Sequence, residues 1–159
     1  MIKILLTSTV RVVLGSTASF AEDAYEDWVV YCNARFGQCA NIPSTFKSDP
    51  PPANGDGLIF RDENAMSVTV SASYNLDWSL EDAIKMTLDT LGEVGPSTYQ
   101  KQGKDWYVVS GHKGDNIYYV KSFVKKSTIS TLWIEYPSSQ KSADDDIASQ
   151  ISSSFRPAK

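Results

Sequence analysis

Residues 116–137 read NIYYVKSFVKKSTISTLWIEYP, with a run of strand-forming residues on each side of Lys125 and Lys126. Both runs are rich in β-branched and aromatic residues, which pack well on the pleated surface of a sheet. The charged break between them predicts a β-hairpin. The other predicted elements of the chain are arranged around this hairpin.

Four more short strands are predicted before the hairpin: LIFR (58–61), MSVTVSAS (66–73), STYQKQ (97–102) and KDWYVVSG (104–111). Polar or glycine-containing breaks separate them, at residues 62–65, at Gly103 and at residues 112–115. Short strands that alternate with turn signals are typical of an antiparallel meander.

Two helices are predicted outside the meander. The first begins at Ser79, which with Asp82 resembles a capping box, and Gly92 provides a stop. The second begins near Ser142, where Ser142 and Asp145 repeat the capping pattern and three aspartates favour a helix start. The apolar residues of each helix share one face: Leu80, Ala83, Ile84, Leu88 and Leu91, then Ala143, Ile147, Ile151 and Phe155. The predicted fold class is α+β, one antiparallel sheet covered by helices.

The N-terminal residues 1–21 have the pattern of a secretory signal peptide. Lys3 precedes an apolar run, and Ser19 and Ala21 form a small-x-small cleavage site. Because Arg11 interrupts the apolar run, an amphipathic N-terminal segment of a cytoplasmic protein is the competing interpretation. The signal peptide interpretation leaves residues 22–159 as a single domain that is periplasmic or secreted.

The charge balance narrows the classes of partner. Removing Lys3 and Arg11 from the 15 basic residues leaves 13 against 19 acidic ones, a net charge near −6. Nucleic acid and anionic membranes are poor partners for such a surface. No later segment has the length of about 20 apolar residues that a membrane span requires.

Both cysteines lie in the segment YCNARFGQC, as Cys32 and Cys39. A disulfide, a reactive thiol and a metal site are all open from this pair alone. An exported domain favours the disulfide, and the flanking residues predict two strands joined by a turn at Gly37. A symmetric loop places the cysteines opposite one another, whereas a one-residue bulge at Gly37 would shift that register. A zinc site needs about four ligands, and His112 is the only histidine.

No catalytic residue, metal site or cofactor is predicted. Ser110, His112 and Asp115 are too close in sequence on one hairpin to assemble a catalytic relay. The segment from Asn54 to Asn64 supplies carboxylate and amide oxygens, but it lacks the spacing of a calcium-binding EF-hand. The absence of such motifs favours a protein that is not an enzyme.

Aromatic residues and one loop are the remaining candidates for function. Most of the four tryptophans and eight tyrosines are expected in the core, but tyrosine and tryptophan are also enriched where proteins bind one another. Residues 47–57 (KSDPPPANGDG) are predicted to form a loop, which is rich in proline and glycine from 50 to 57. The predicted partner-binding residues are Asn54, Asp56, Tyr74 and Trp78.

The segment RFGQCANIPSTF resembles the entry hairpin of PsbP-like proteins, at Phe36, Gly37, Pro43 and Phe46. The ending is also similar, because Ile151 and the sequence SSSF at 152–155 resemble the last helix of that fold. The resemblance implies the Mog/PsbP type of α/β/α sandwich, and within that group the chain looks most like small exported bacterial proteins. The cysteine pair departs from the general pattern, and the resemblance supplies no catalytic residue.

Two hypotheses about function follow. The resemblance implies an accessory or protein-binding role in the cell envelope, as an accessory subunit or as a protein that neutralises a secreted toxin. The alternative is a small-molecule-binding or hydrolytic protein with a pocket between the sheet and the first helix.

The signal peptide interpretation predicts that the exported protein begins at Glu22. Intact-mass measurement or N-terminal sequencing of protein isolated from the periplasm or medium should give that terminus. Recovery of the Met1 terminus from the cytoplasm alone would contradict export and would reopen the interpretation of the cysteines.

Overall fold

A computed structural model describes residues 27–92 and 95–158. The predicted signal peptide and its cleavage site lie outside these residues. The described chain forms two antiparallel sheets and two helices in the order that the sequence predicts, with short additional elements.

A seven-stranded antiparallel sheet makes up most of the structure. In chain order its strands are β3 (Lys47–Ser48), β4 (Gly57–Arg61), β5 (Ser67–Tyr74), β6 (Ser97–Gln102), β7 (Trp106–Lys113), β8 (Asn116–Val124) and β9 (Thr128–Pro137). Their spatial order is β3-β4-β5-β9-β8-β7-β6. The last strand therefore lies between the two groups of earlier strands and joins them.

A separate two-stranded sheet contains β1 (Trp28–Cys32) and β2 (Cys39–Pro43). The remaining elements are α1 (Leu80–Gly92), a short 3-10 turn (Ser138–Gln140) and α2 (Lys141–Ser154).

The central β8–β9 hairpin separates two hydrophobic cores. In β9, Leu132 and Ile134 are fully buried on one face, and Trp133 packs on the opposite face. Alternation of this kind follows from the two-residue period of a strand. The sheet is therefore sandwiched between two apolar layers, as the predicted α/β/α arrangement requires.

The first core lies under α1. Ala83, Ile84 and Leu91 of this helix are buried, and they pack against a set of residues on β7 and β8: Tyr107, Val109, Tyr118 and Val120. The predicted capping box is confirmed, because Ser79 N donates to Asp82 Oδ2 at 2.9 Å and Asp82 N donates to Ser79 Oγ at 3.1 Å. These hydrogen bonds lower the pKa of Asp82.

The second core lies under α2 and the β1–β2 sheet. Ile147, Ala148 and Ile151 of α2 are buried on it. Ala40 and Ile42 of β2 contribute to the same cluster. The hairpin that carries the cysteines is thus part of the layer that covers the sheet.

The predicted cap of α2 at Ser142 is wrong, although the helix begins within one residue of its predicted start. The 3-10 turn after Pro137 leads directly into helical geometry, so the helix begins at Lys141, and its N-cap residue Gln140 makes no side-chain cap hydrogen bond. Ser142 already lies inside the helix. Asp145 instead accepts a hydrogen bond of 2.6 Å from the hydroxyl of Tyr136 and pairs with the ammonium of Lys141.

The predicted disulfide between Cys32 and Cys39 is present. The two cysteines face one another in the register of β1 and β2, with their Cα atoms 4.1 Å apart. Asn33 shapes the turn, because its Oδ1 accepts hydrogen bonds from the backbone N–H groups of Arg35 and Phe36. Gly37 has a φ of +81°, which favours glycine.

Replacing both cysteines by serine should lower the free energy of unfolding by about 2.5 kcal/mol, because the unfolded chain loses a closed loop. Urea denaturation of the oxidised protein and of the Cys32→Ser/Cys39→Ser variant measures this difference. Wild-type protein with a reductant serves as the matched control and should behave like the variant. Equal midpoints for all three samples would contradict a stabilising disulfide.

A second feature with a thermodynamic consequence is the carboxyl group of Asp144 in α2. Asp144 is only 3% exposed, and its Oδ2 atom has no hydrogen-bond partner among the residues that the structure describes. Burial, together with the negative charges of Asp62 and Asp145, raises the pKa of Asp144. The carboxyl group of Asp144 therefore loses its proton at a lower pH in the unfolded chain than in the folded chain. Once it is charged, it destabilises the folded state.

Asp144→Asn should therefore make the folded protein more stable than wild type at pH 7. The difference should disappear near about pH 3, where the carboxyl group is protonated in both states. Denaturation at several pH values measures it, and Asp146→Asn, an exposed position on the same helix, is the matched control. A variant that is less stable than wild type at pH 7 would show that Asp144 contributes favourably as a charge.

Candidate functional site

The most distinctive exposed surface lies where the β1–β2 turn meets the proline-glycine loop and the end of β5. We call it the Tyr74 surface, and it consists of Arg35, Phe36, Asn54, Asp56 and Tyr74. Three of these residues are among those predicted from the sequence.

Hydrogen bonds connect the turn to the loop. Asn33 Nδ2 donates to the carbonyl of Gly55 at 3.0 Å, and Gln38 Nε2 donates to the carbonyl of Asp56 at 3.1 Å. Arg35 Nη1 donates to the carbonyl of Asn54 at 2.5 Å. Three side chains of one turn therefore bind three successive carbonyl groups of the loop, which fixes the two segments relative to one another.

The loop is also anchored to the sheet and to itself. Asp49 N donates to the carbonyl of Ile59, and Ala72 N donates to the carbonyl of Asp56, so both ends of the loop are joined to strands. Asn54 Nδ2 donates to Asp56 Oδ2 at 2.7 Å. The loop therefore presents the side chains of Asn54 and Asp56 from a backbone that is held in place.

Tyr74 is 61% exposed although it contacts two neighbouring side chains. Its ring and that of Phe36 meet edge to face, with the ring centroids 5.0 Å apart and an interplanar angle of 65°. The guanidinium carbon of Arg35 lies 4.8 Å from the centroid of Phe36 and 5.5 Å from that of Tyr74. Cation–π attraction at such distances holds an arginine and two aromatic rings together in one amphipathic cluster.

Trp78 belongs to a different patch. Asn75 holds its backbone, accepting a hydrogen bond of 2.7 Å from Trp78 N and donating one of 3.0 Å to the Trp78 carbonyl. The side chain of Trp78 lines a shallow depression on α1 with Met86 and three charged residues: Asp82, Lys85 and Asp89. The structure therefore brings Asn54, Asp56 and Tyr74 together and places Trp78 beside the helix.

Sequence reasoning missed Arg35 and Phe36, which connect the predicted residues. The signal was available in the turn sequence NARFG, where an arginine and a large aromatic residue are adjacent at an exposed turn. Only the folded structure shows that this turn approaches the end of β5.

The histidine does not form a relay. Ser110 Oγ donates to the carbonyl of Tyr118 at 2.8 Å, so its hydroxyl hydrogen is directed to that carbonyl and not to His112. His112 is exposed on β7. Within residues 27–92 and 95–158, no group of three or more His, Cys, Asp and Glu side chains is positioned to hold a metal ion.

The two helices leave opposite halves of the sheet open. On the α1 face, a concavity of about 500 Å³ lies over β4 and β5 and is bordered by Pro50, Pro52 and Ile59. On the α2 face, another of about 340 Å³ lies over β6, β7 and β8. The space between α1 and the sheet, where the alternative hypothesis places a pocket, is filled by Leu91, Tyr107 and Tyr118.

Over the part of the chain that the structure covers, the helices are too short or too polar to cross a lipid bilayer. The longer of them, α2, contains 14 residues. This agrees with the hydropathy of the sequence after residue 21.

Comparison with solved structures identifies the fold. The solution structure of cyanobacterial PsbP (CyanoP) from Synechocystis sp. PCC 6803 matches with a TM-score of 0.62 and 14% sequence identity. The match covers 91% of this chain and 98% of CyanoP. No family model and no curated protein matches the sequence. The predicted PsbP-like fold is confirmed, and at this level of identity the match concerns the fold alone.

Proposed function

We propose that this is a non-catalytic exported protein that binds another protein in the cell envelope through the Tyr74 surface. The observation that carries the proposal is Tyr74 itself, a large side chain that is 61% exposed and yet fixed by Arg35 and Phe36. Tyrosine is enriched at protein interfaces, so an exposed tyrosine that packs against a neighbouring ring and an arginine favours recognition.

The composition of the surface supports protein binding. Tyrosine and arginine are enriched among the residues that contribute most to binding energy at protein interfaces. Asn54 and Asp56 lie next to them and supply polar groups suited to the rim of an interface. A partner surface with an apolar pocket for the tyrosine and hydrogen-bond donors for Asp56 would be complementary.

The rigidity of the surface also favours binding. Ordering a mobile loop on association costs free energy, and a loop that is already held in place avoids most of that cost. Here the turn and the loop are joined by three hydrogen bonds to backbone carbonyls.

The proposal also includes the compartment and the role of the protein. A periplasmic or secreted location is compatible with the disulfide, because such bonds persist in oxidising compartments. Within that setting the protein acts as an accessory subunit or as a neutraliser of a secreted toxin. The PsbP-like fold is compatible with a non-catalytic accessory role.

Photo-crosslinking tests the proposal directly. A photoreactive amino acid at position 54 should crosslink to one protein of the native envelope, which mass spectrometry would identify. The same probe at Lys101, on the opposite edge of the sheet, is the matched control and should give no such product.

Binding to the purified partner should then become at least about tenfold weaker in Tyr74→Ala and in Arg35→Ala, a typical loss for an interface anchor. Tyr99→Ala removes a tyrosine of similar exposure and should bind like wild type, and His112→Ala should leave the cellular phenotype unchanged. Equal binding by Tyr74→Ala and wild type, or loss of an activity in folded His112→Ala, would contradict the proposal.

A further inference from the structure

The open half of the sheet on the α2 face has an unusual lining. We call it the β6–β8 groove, and it is lined by four aromatic residues and two lysines: Tyr99, Trp106, Tyr119, Phe123, Lys101 and Lys121. It is open because α2 and the β1–β2 sheet cover the core around β5 and β9 instead.

The register of the strands arranges these side chains in rows. Lys101 pairs with Val108, and Val108 pairs with Lys121, so the two lysines lie on one row across three strands. Neighbouring strands are about 4.8 Å apart, which separates the two lysine Cα atoms by about 10 Å. The two lysines thus lie on either side of Val108, a small apolar residue at the centre of the groove.

Aromatic residues lie on both sides of the lysine row. Tyr99 and Tyr119 flank Ser110 on one side, and Trp106 pairs with Phe123 on the other. Two of these rings contact the C-terminal end of α2. The ring of Phe123 lies 5.7 Å from that of Phe155, and the hydroxyl of Tyr119 is 2.7 Å from Ser152 Oγ. The groove therefore has fixed apolar walls around a cationic centre.

Lys101 and Lys121 form no ion pair with any residue that the structure describes. By contrast, Lys113 at the end of β7 and Lys125 directly after β8 each pair with a carboxylate. Lys121 donates to the carbonyl of Ser152 at 2.8 Å, which uses one of its three N–H groups. Burial lowers the pKa of Lys121, as expected for a partly desolvated ammonium group without an anion.

We propose that the β6–β8 groove binds a small organic anion in which a carboxylate is attached to a flat ring. The carboxylate lies between Lys101 and Lys121, and the ring packs on the exposed side chain of Tyr99 and on Trp106. The volume of about 340 Å³ is within the range of small-molecule sites. The whole chain is acidic, so two neighbouring lysines without a counter-ion are a local departure from its overall charge.

Titration of the ¹⁵N-labelled, disulfide-intact protein with indole-3-carboxylate tests this proposal by NMR. The probe should shift the indole N–H signal of Trp106 and the amide signals of residues 99–101, 106–108 and 119–123. The neutral probe indole-3-carboxamide should bind at least about tenfold more weakly, because it lacks the charge that the lysines recognise.

Lysine variants separate the proposed contact from a general effect of charge. Lys101→Gln and Lys121→Gln should each weaken binding of indole-3-carboxylate about tenfold, and Lys47→Gln, an exposed lysine on the opposite edge of the sheet, should not. Because Lys121 also binds α2, Lys101→Gln is the decisive variant if Lys121→Gln is unstable.

Three results would overturn the proposal: no shift at millimolar probe, shifts distributed over the whole surface, or equal affinity for the acid and the amide. The same titration with Tyr74→Ala should match wild type. The titration therefore tests the β6–β8 groove independently of the proposed protein-binding surface.

Discussion

The pairing of β8 with β9 is the interaction on which the rest of the structure depends. Nine residue pairs join these strands, and β9 also pairs with β5 along its other edge. Because successive side chains point to opposite faces, this register directs Leu132 and Ile134 to one core and Trp133 to the other. A shift of one residue would exchange the two faces and move Leu132 and Ile134 out of the core under α2.

The same arrangement explains why the recognition features are separated in space. Each helix covers about half of a wide sheet, and the two covered halves lie on opposite faces and toward opposite edges. Tyr74 lies at the end of β5, while the lysine row lies across β6, β7 and β8, so the two surfaces share few structural constraints.

Much of the fold could be predicted because its signals are local. Strand composition identified the four strands from Ser97 to Pro137, and the reciprocal Ser79 and Asp82 pair identified the start of α1. The start of α2 was predicted to within one residue, but its predicted cap was wrong because Pro137 leads into a 3-10 turn that precedes the helix. The two-residue strand β3 was included in the predicted loop, since a strand that short has no periodicity to detect.

The candidate sites were less predictable because they depend on contacts between distant segments. Asn54, Asp56 and Tyr74 could be chosen by residue type, but the role of Arg35 depends on how the hairpin packs. The lysine row depends on register, and an irregularity between Ser97 and Tyr99 shifts the pairing of β6 with β7. Such a bulge decides which face of the sheet Lys101 occupies, and composition does not reveal it.

The β1–β2 hairpin is also joined to the end of the chain, because Cys39 and Arg156 exchange backbone hydrogen bonds. Its disulfide spans only seven positions and involves no residue of α2 or of the last strand. The covalent bond therefore keeps β1 and β2 paired independently of the C-terminal residues that pack against them.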